Sequence, residues 1–159
     1  MEQRVFSKCL KCIVAGIGVC GLIIYALIIP ALGKTIAEHN PEFAYCYWPW
    51  LGFIWISGIP CYAVLVFAWK VAANIGMDQS FSNSNAEMFK WISILAAVDS
   101  AFFFAGNILM LLLNMSHPGI VLLSFMIVFI GVAVAIAAAA LSYLIKKAAI
   151  LQDQSDWTI

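Results

Sequence analysis

The sequence predicts an all-α integral membrane protein built as a four-helix bundle, and its composition, the length of its apolar runs and their pattern carry this prediction. Of its 159 residues, 65% are hydrophobic and only 10% are charged. Soluble domains average roughly 45–50% apolar and about 25% charged residues. Four apolar runs are each long enough for a hydrocarbon core that needs about 20 helical residues. None of them alternates in the two-residue pattern of a membrane barrel, so helices are expected instead of strands.

The four spans are predicted at about residues 13–32, 51–71, 91–113 and 118–145. They are joined by a loop over 33–50, a loop over 72–90 and a short turn, NMSHPG, which makes the last two spans an antiparallel hairpin. The last run is long enough to tilt or to project from the membrane as helix before the tail, residues 148–159. The motif Ser84-Asn85-Ala86-Glu87 fits a capping box, which predicts that the third helix starts near Asn85.

The basic residues predict that both termini are cytoplasmic. If the N-terminus is inside, only Lys34 is external, and the cytoplasmic segments hold Arg4, Lys8, Lys11, Lys70, Lys90, Lys146 and Lys147. This is a clear positive-inside bias. A secretory signal peptide is the competing interpretation of residues 4–33, but their apolar region is too long for one. The formal net charge of zero leaves no basic face for nucleic acid, so no direct nucleic-acid binding is expected.

Three glycines of the first span have the spacing of a nucleotide-binding motif. Gly16, Gly18 and Gly21 in GIGVCG have the dinucleotide-binding spacing, but that motif needs a preceding strand and a turn for the pyrophosphate. Inside a membrane span, small residues let another helix approach closely. We therefore expect them to pack against a neighbouring helix.

The cysteines and histidines do not form a metal or catalytic motif. Cys9 and Cys12 form a C-x-x-C at the start of the first helix, which suits reduced thiols or a redox pair, but a zinc site would need two more ligands nearby. On the external side, no metal signature matches the spacing of Glu38, His39, Glu42 and Cys46. We expect no metal, no cofactor and no enzymatic activity, since no nucleophile motif accompanies either histidine. A small membrane transferase remains the alternative.

The external loop holds a further group of candidates. Residues 33–50 are rich in aromatic side chains, which first of all predict an interfacial belt. The loop is also where a sensor would meet a lipid, a peptide or a small molecule. Its candidate residues are Asn40, Pro41, Glu42 and Tyr45.

Asp99 is the most unusual residue of the spans. It lies near the predicted middle of the third span, where an ionisable group indicates function by default because burying it uncompensated is costly. No Lys or Arg is predicted at that depth, which leaves a protonated acid between helices, a water-filled cavity or a cation from outside the chain. By depth, Tyr62 is the first expected partner and Tyr25 the second. Ser100 and Asn107 nearly share a helical face, so a polar stripe around Asp99 should face the bundle interior.

Four segments carry a resemblance to a known family. They are KTIAEHNPEFAY, MDQSFSNSNAEMFKWI, HPG and the terminal LQDQSDWTI. Together they resemble the bacterial membrane family called domain of unknown function 2975 (DUF2975). The resemblance implies a four-span protein of the bacterial plasma membrane whose gene is often found beside that of a Cro/CI-type helix-turn-helix regulator. The chain departs from the family pattern at Ser80, where the family has Ala, and at Trp157, where it has Leu, and most relatives are not expected to carry an acid at Asp99.

The cytoplasmic loop and tail form the predicted partner surface. An acidic tail with an apolar end is typical of a peptide ligand that binds as an added strand or as a helix in a groove, although a frayed terminus is the simpler alternative. Its acids would suit a basic partner such as a DNA-binding domain. The candidate residues are Asp78, Phe81, Ser82, Asp153, Asp156, Trp157, Thr158 and Ile159.

These features favour a non-enzymatic membrane regulator or sensor that binds a small cytoplasmic helix-turn-helix transcription factor. The alternative is a small transport or permeation protein, or an accessory subunit of one, that uses the polar stripe around Asp99. A purely structural or toxin-immunity protein is a third interpretation. Membrane lipid is an expected partner in each case, and the sequence leaves homo-oligomers open.

Overall fold

The computed structural model describes the backbone of residues 2–156 and the side chains of residues 3–154. Its α-helices are α1 (Glu2–Ile23), α2 (Ile29–His39), α3 (Tyr47–Gly76), α4 (Asn83–Leu112) and α5 (Pro118–Asp156). A π-helical turn, Ile24–Ile28, joins α1 to α2, and a 3₁₀ helix, Pro41–Cys46, precedes α3. Within residues 2–156 there is no strand, so the predicted all-α class is confirmed.

Four helical stretches are long and apolar enough to cross a membrane, which confirms the predicted number of spans. They are Gln3–His39, Pro41–Gly76, Asn83–Leu112 and Pro118–Gln154. The outer face of α5 shows the pattern expected of a lipid-facing helix, because Leu122, Phe129 and Ile136, each seven residues from the next, remain exposed.

The helices extend well beyond the predicted spans, so most residues of the segments between those spans are helical. The segment 33–50 is helical except at Asn40, and the loop over 72–90 is reduced to residues 77–82. The apolar runs mark only the hydrocarbon-facing part of each helix. Polar residues continue α2 to His39, and the break follows at Asn40, since Pro41 has no N–H and disfavours a helical residue before it. The Asn40 amide closes this end by donating to the Ile36 carbonyl at 3.1 Å.

The start of α4 also differs from the prediction. The helix begins at Asn83, and its N-cap is Ser82, whose hydroxyl accepts from the Asn85 N–H at 3.2 Å. Ser84, the expected N-cap, lies inside the first turn. Each serine has, three positions further on, a residue that could pair with it in a cap. An N-cap residue needs an extended backbone, and Ser82 is the serine that has one.

The membrane helices form an open row in chain order. Close Cα approaches join α1 to α3, α3 to α4 and α4 to α5. Among the described residues, no Cα pair within 8 Å joins α1 to α4 or α5, or α3 to α5. We call the end of the row that carries the start of α1, residues 77–82 and the end of α5 the terminal face, and the other end the opposite face. Each middle helix therefore has two protein neighbours, and each outer helix has one.

Aromatic rings and a glycine set the contact between α3 and α4. Phe53 is buried, and its ring centroid lies 5.2 Å from those of Phe102 and Phe103. Gly106 lies against the same ring, where a Cβ would collide with it. This close approach requires a residue without a side chain at that position.

Small residues on α1 also have the packing role that was expected of them. Gly18 faces Leu65 of α3, and its carbonyl accepts from the Tyr62 hydroxyl at 2.9 Å. Gly21 lies against the same tyrosine, whereas Gly16 has no neighbour within 4 Å of an added Cβ. Two of the three glycines in GIGVCG thus serve helix packing.

Candidate functional site

The loop at the terminal face is built by the end of α3. After Gly76, the N–H groups of Met77 and Gln79 both donate to the Asn74 carbonyl, each at 3.0 Å. Asp78 adopts the left-handed conformation with φ 65°, which Asn and Asp tolerate better than most other residues with side chains. The chain therefore turns sharply within a few residues and returns to start α4.

Asn85 holds this loop in place. It is only 1% exposed, and its side chain accepts from the Asn74 amide at 2.8 Å. Its own amide donates to the carbonyls of Gln79 at 3.0 Å and Ser80 at 3.1 Å. A single buried side chain thus joins α3, the loop and α4, and because its bonds are satisfied it fixes the loop instead of destabilising the fold.

A polar pocket of about 580 Å³ opens at the terminal face beside this loop. Its walls come from the start of α1, the loop, and the last turns of α5. The lining residues are Gln3, Asp78, Gln79, Ser80, Phe81, Ser82, Asn83, Ala149, Gln152 and Asp153. They include two carboxylates and no basic residue, so the pocket is suited to a cationic group.

The pocket brings together four of the eight predicted partner-binding residues. Asp78, Phe81 and Ser82 come from the loop, and Asp153 comes from α5. Phe81 is 61% exposed although it is aromatic, so its ring is available for contact. For Asp156 only the helical backbone is described, and the remaining predicted tail residues, Trp157, Thr158 and Ile159, lie outside the described residues.

Asp99 does not contact the residue that depth counting favoured. The Tyr62 hydroxyl is bonded to α1, and the neighbouring Cys61 thiol instead donates to Asp99 Oδ2 at 3.6 Å. Successive residues on a helix point about 100° apart, so Tyr62 faces α1 while Cys61 reaches α4. Tyr25, the second choice, lies beside this pair: its ring packs against Gly58 of α3 and its side chain is close to Cys61.

The predicted polar stripe on α4 is divided between two faces. Ser100 is buried against Gly131 of α5, and its hydroxyl donates to the Ala96 carbonyl at 2.7 Å. Asn107 is 2% exposed and accepts from Ser124 of α5 at 2.7 Å. Asp99 instead faces α3. Ser100 and Asn107 therefore share the face toward α5, as their spacing predicts, whereas the one-residue step from Ser100 to Asp99 turns the acid toward α3.

The candidates of the opposite face have mainly structural contacts. Asn40 ends α2 and Pro41 starts the 3₁₀ helix, in whose first turn Glu42 is exposed. The Tyr45 hydroxyl donates to the Asn114 carbonyl at 3.3 Å. Trp50 was not a candidate, yet its indole N–H donates to the Met115 carbonyl at 2.7 Å. These aromatic donors attach the 3₁₀ helix and the start of α3 to the turn between α4 and α5.

The cysteines are free throughout the described chain. Cys46 is buried, and Cys9, Cys12, Cys20 and Cys61 are exposed. Among the residues described, no group of three or more His, Cys, Asp and Glu side chains is placed to hold a metal ion.

Sequence reasoning missed two residues that organise these sites. Asn85 appeared only as the expected helix start, and no local pattern shows that its amide would meet the loop carbonyls. Cys61 was not among the candidates, although it is next to Tyr62 in the chain. The available signal was the acid Asp99 in the middle of its span. It indicated the depth at which a partner lies, but not which residue is the partner.

Comparison with known proteins identifies relatives along nearly the whole chain. A family model described as "Protein of unknown function (DUF2975)" matches residues 31–159. The chain is also similar to the uncharacterized membrane protein YoaS of Bacillus subtilis (strain 168), with 28% identity over 159 residues that cover 99% of each chain. No solved structure matches. Together with the four apolar helices, these matches indicate a multi-pass membrane protein.

Proposed function

The chain belongs to the DUF2975 family, and from this premise we propose that it is a non-enzymatic membrane regulator that holds a small helix-turn-helix protein at its terminal face. The pocket carries the proposal, because it joins an acid of the loop, Asp78, to an acid of α5, Asp153, that is remote in sequence. Phe81 adds an exposed apolar contact beside them.

The proposal places the terminal face in the cytoplasm of a bacterial cell. Its support is the distribution of charge, since Lys34 is near the opposite face and the other seven basic residues lie nearer the terminal face. Membrane proteins retain such an excess of Lys and Arg on the cytoplasmic side.

The partner chemistry follows from the charge of the pocket. A DNA-binding domain presents Lys and Arg to phosphate, and the same surface is complementary to a pocket with two carboxylates and no basic lining residue. Binding here would compete with DNA for that surface. Retention of the regulator at the membrane would then keep it from its operator.

The division of the polar stripe makes the transport alternative weaker. A permeation path along α4 would need its polar groups on one side of the helix. Asp99 faces α3, whereas Ser100 and Asn107 face α5. The regulator is therefore the function that the geometry supports best.

The test measures how much of a fluorescently tagged Cro/CI-type helix-turn-helix regulator from the same bacterium remains with membranes that contain the protein. We expect the double variant Asp78→Asn with Asp153→Asn to lower retention about tenfold, through loss of two exposed charge contacts. Glu87→Gln is the matched control, because it removes an exposed acid of α4 that is not a lining residue. Unchanged retention in the double variant refutes the pocket as the binding surface.

A deletion tests the tail separately. Removal of residues 152–159 takes away Asp153 and the terminal residues that the structure does not describe. If the tail is part of the surface, retention falls at least as far as in the double variant. If retention is equal to that of the full chain, the tail has no share in binding.

A further inference from the structure

A cluster of polar side chains lies far from the terminal face, at the middle of three neighbouring membrane helices. It consists of Tyr25 in the π-helical turn, Ser57 and Cys61 on α3, and Asp99 on α4. Cys61 and Asp99 are each close to the midpoint of a 30-residue helix. A π turn within a long helix is frequently found at a functional site.

The cluster is connected, and part of it is open to the membrane. The Cys61 thiol donates to Asp99 Oδ2 at 3.6 Å, and the Tyr25 side chain lies beside Ser57 and Cys61, with its ring against Gly58 of α3. The Trp55 indole N–H donates to the Tyr25 carbonyl at 3.0 Å, which fixes the π turn against α3. Cys61 is exposed and Asp99 is half-buried. No Cα pair within 8 Å joins α4 to α1 or to the π turn, and Cys61 lies on α3 between Tyr25 on one side and Asp99 on the other. We call this exposed surface of α3 the cleft.

The carboxyl group in this cleft has less than its full set of partners. Asp99 Oδ1 is covered by protein and has no hydrogen-bond partner within the described part of the chain. Oδ2 receives only a weak donor, a thiol at long distance. A carboxylate in hydrocarbon is costly unless a cation or several donors compensate it. The ranges 12–33, 51–69 and 91–145 contain no Lys or Arg, so this chain supplies no cation at that depth.

We propose that the cleft receives a membrane-spanning helix of another protein that carries a Lys or Arg near its middle. Charge complementarity identifies this occupant, because the cleft presents an acid and the chain has no matching cation. A second copy of the chain would bring no basic residue to mid-membrane depth. A lipid amine stays at the headgroup level, about 15 Å from the middle of the hydrocarbon core. A helix, in contrast, presents its central side chain directly at the depth of Asp99.

The experiment measures energy transfer between the full-length protein, labelled with a donor, and synthetic spanning peptides, labelled with an acceptor, in phosphatidylcholine vesicles. The peptides are Leu/Ala helices that differ only at the central residue, which is Lys, Nε-acetyl-lysine or Leu. We expect the Lys peptide to bind at least fivefold more tightly than the other two. Asp99→Asn should reduce this preference to less than twofold, because it keeps the shape of the side chain and removes the charge. Ser100→Ala is the matched control on the α5 side of the same helix, and the preference should persist in it.

Three results would overturn the proposal. Equal binding of the Lys and acetyl-lysine peptides by the native protein shows that the cleft does not recognise the cation, and this comparison does not depend on any variant folding. A Lys preference that survives in Asp99→Asn assigns the recognition to another group. Self-association of the protein that is lost in Asp99→Asn identifies a second copy as the occupant instead. None of these results bears on retention of a regulator at the terminal face, so the two proposals fail separately.

Discussion

Replacing Asn85 by alanine should destabilise the protein and release the loop at the terminal face. The side chain is 1% exposed and takes part in three hydrogen bonds, with the Asn74 amide and with the carbonyls of Gln79 and Ser80. Each bond contributes about 1 kcal/mol net, and a partner left without one inside the fold adds a cost of the same order. We therefore expect the free energy of unfolding to fall by about 2–4 kcal/mol.

Two measurements on the same variant check this reasoning. An SDS unfolding titration in mixed micelles gives the free energy of unfolding, and hydrogen exchange reports the N–H groups of residues 77–82. The Gln79 N–H, which donates to the Asn74 carbonyl at 3.0 Å, should exchange faster in Asn85→Ala. The change should be largest at residues 77–82. In helices remote from the loop, amides that exchange through local fluctuations should be unaffected, and only those that need global unfolding should follow the fall in the free energy of unfolding.

The matched control is Asn83→Ala, the same change at an exposed position in the first turn of α4. Its free energy of unfolding should stay within about 0.5 kcal/mol of the native value, as is usual for surface substitutions. If the two variants unfold at the same free energy, or if Asn85→Ala leaves the exchange of residues 77–82 unchanged, Asn85 does not organise the loop.

Two further predictions concern helix ends and helix contacts. Ser82→Ala should lower the free energy of unfolding in the same titration by about 1 kcal/mol, while Ser84→Ala should have little effect, because the cap hydroxyl belongs to Ser82; the reverse order would place the cap at Ser84. Gly106→Ala should lower it by about 1–3 kcal/mol, because the added methyl group meets the ring of Phe53. Gly52→Ala is the matched control, since nothing lies within 4 Å of its Cβ, and an equal loss in both glycine variants would contradict the proposed close approach of α3 and α4.

The number and type of the helices could be predicted from the sequence because they depend on the length and the hydropathy of runs along the chain. A run of about 20 apolar residues needs a helix in hydrocarbon whatever its neighbours are. The ends of the helices depend on local hydrogen bonds instead. Thr35, for example, donates to the Ala31 carbonyl at 3.0 Å inside a polar stretch that continues α2. A hydropathy profile cannot predict such a bond.

The partner of Asp99 shows where depth alone is insufficient. Counting residues inward placed Tyr25 and Tyr62 near the right level, and Cys61 precedes Tyr62 directly in the chain. The choice among them depends on the rotation of each helix about its axis, which is set by packing of the whole face. The π turn at Ile24–Ile28 changes that rotation within the first membrane helix, and no residue of its sequence, IYALI, predicts the turn. Acidic residues of the loop and tail could be proposed as one surface from charge, but their meeting in one pocket depends on the return of α5 to the terminal face.

The open row explains why side-chain contacts at the terminal face matter for the pocket. Its walls include the start of α1 and the end of α5, two helices that have no close Cα approach to each other. Each wall is instead attached to its own neighbour. The Ser7 hydroxyl of α1 donates to the Ala72 carbonyl of α3 at 2.6 Å, and the Ser142 hydroxyl of α5 donates to the Ala86 carbonyl of α4 at 2.7 Å. Asn85 then joins α3 to α4 between these two attachments, so the separation of the acidic walls is determined by a chain of hydrogen bonds that crosses all four membrane helices.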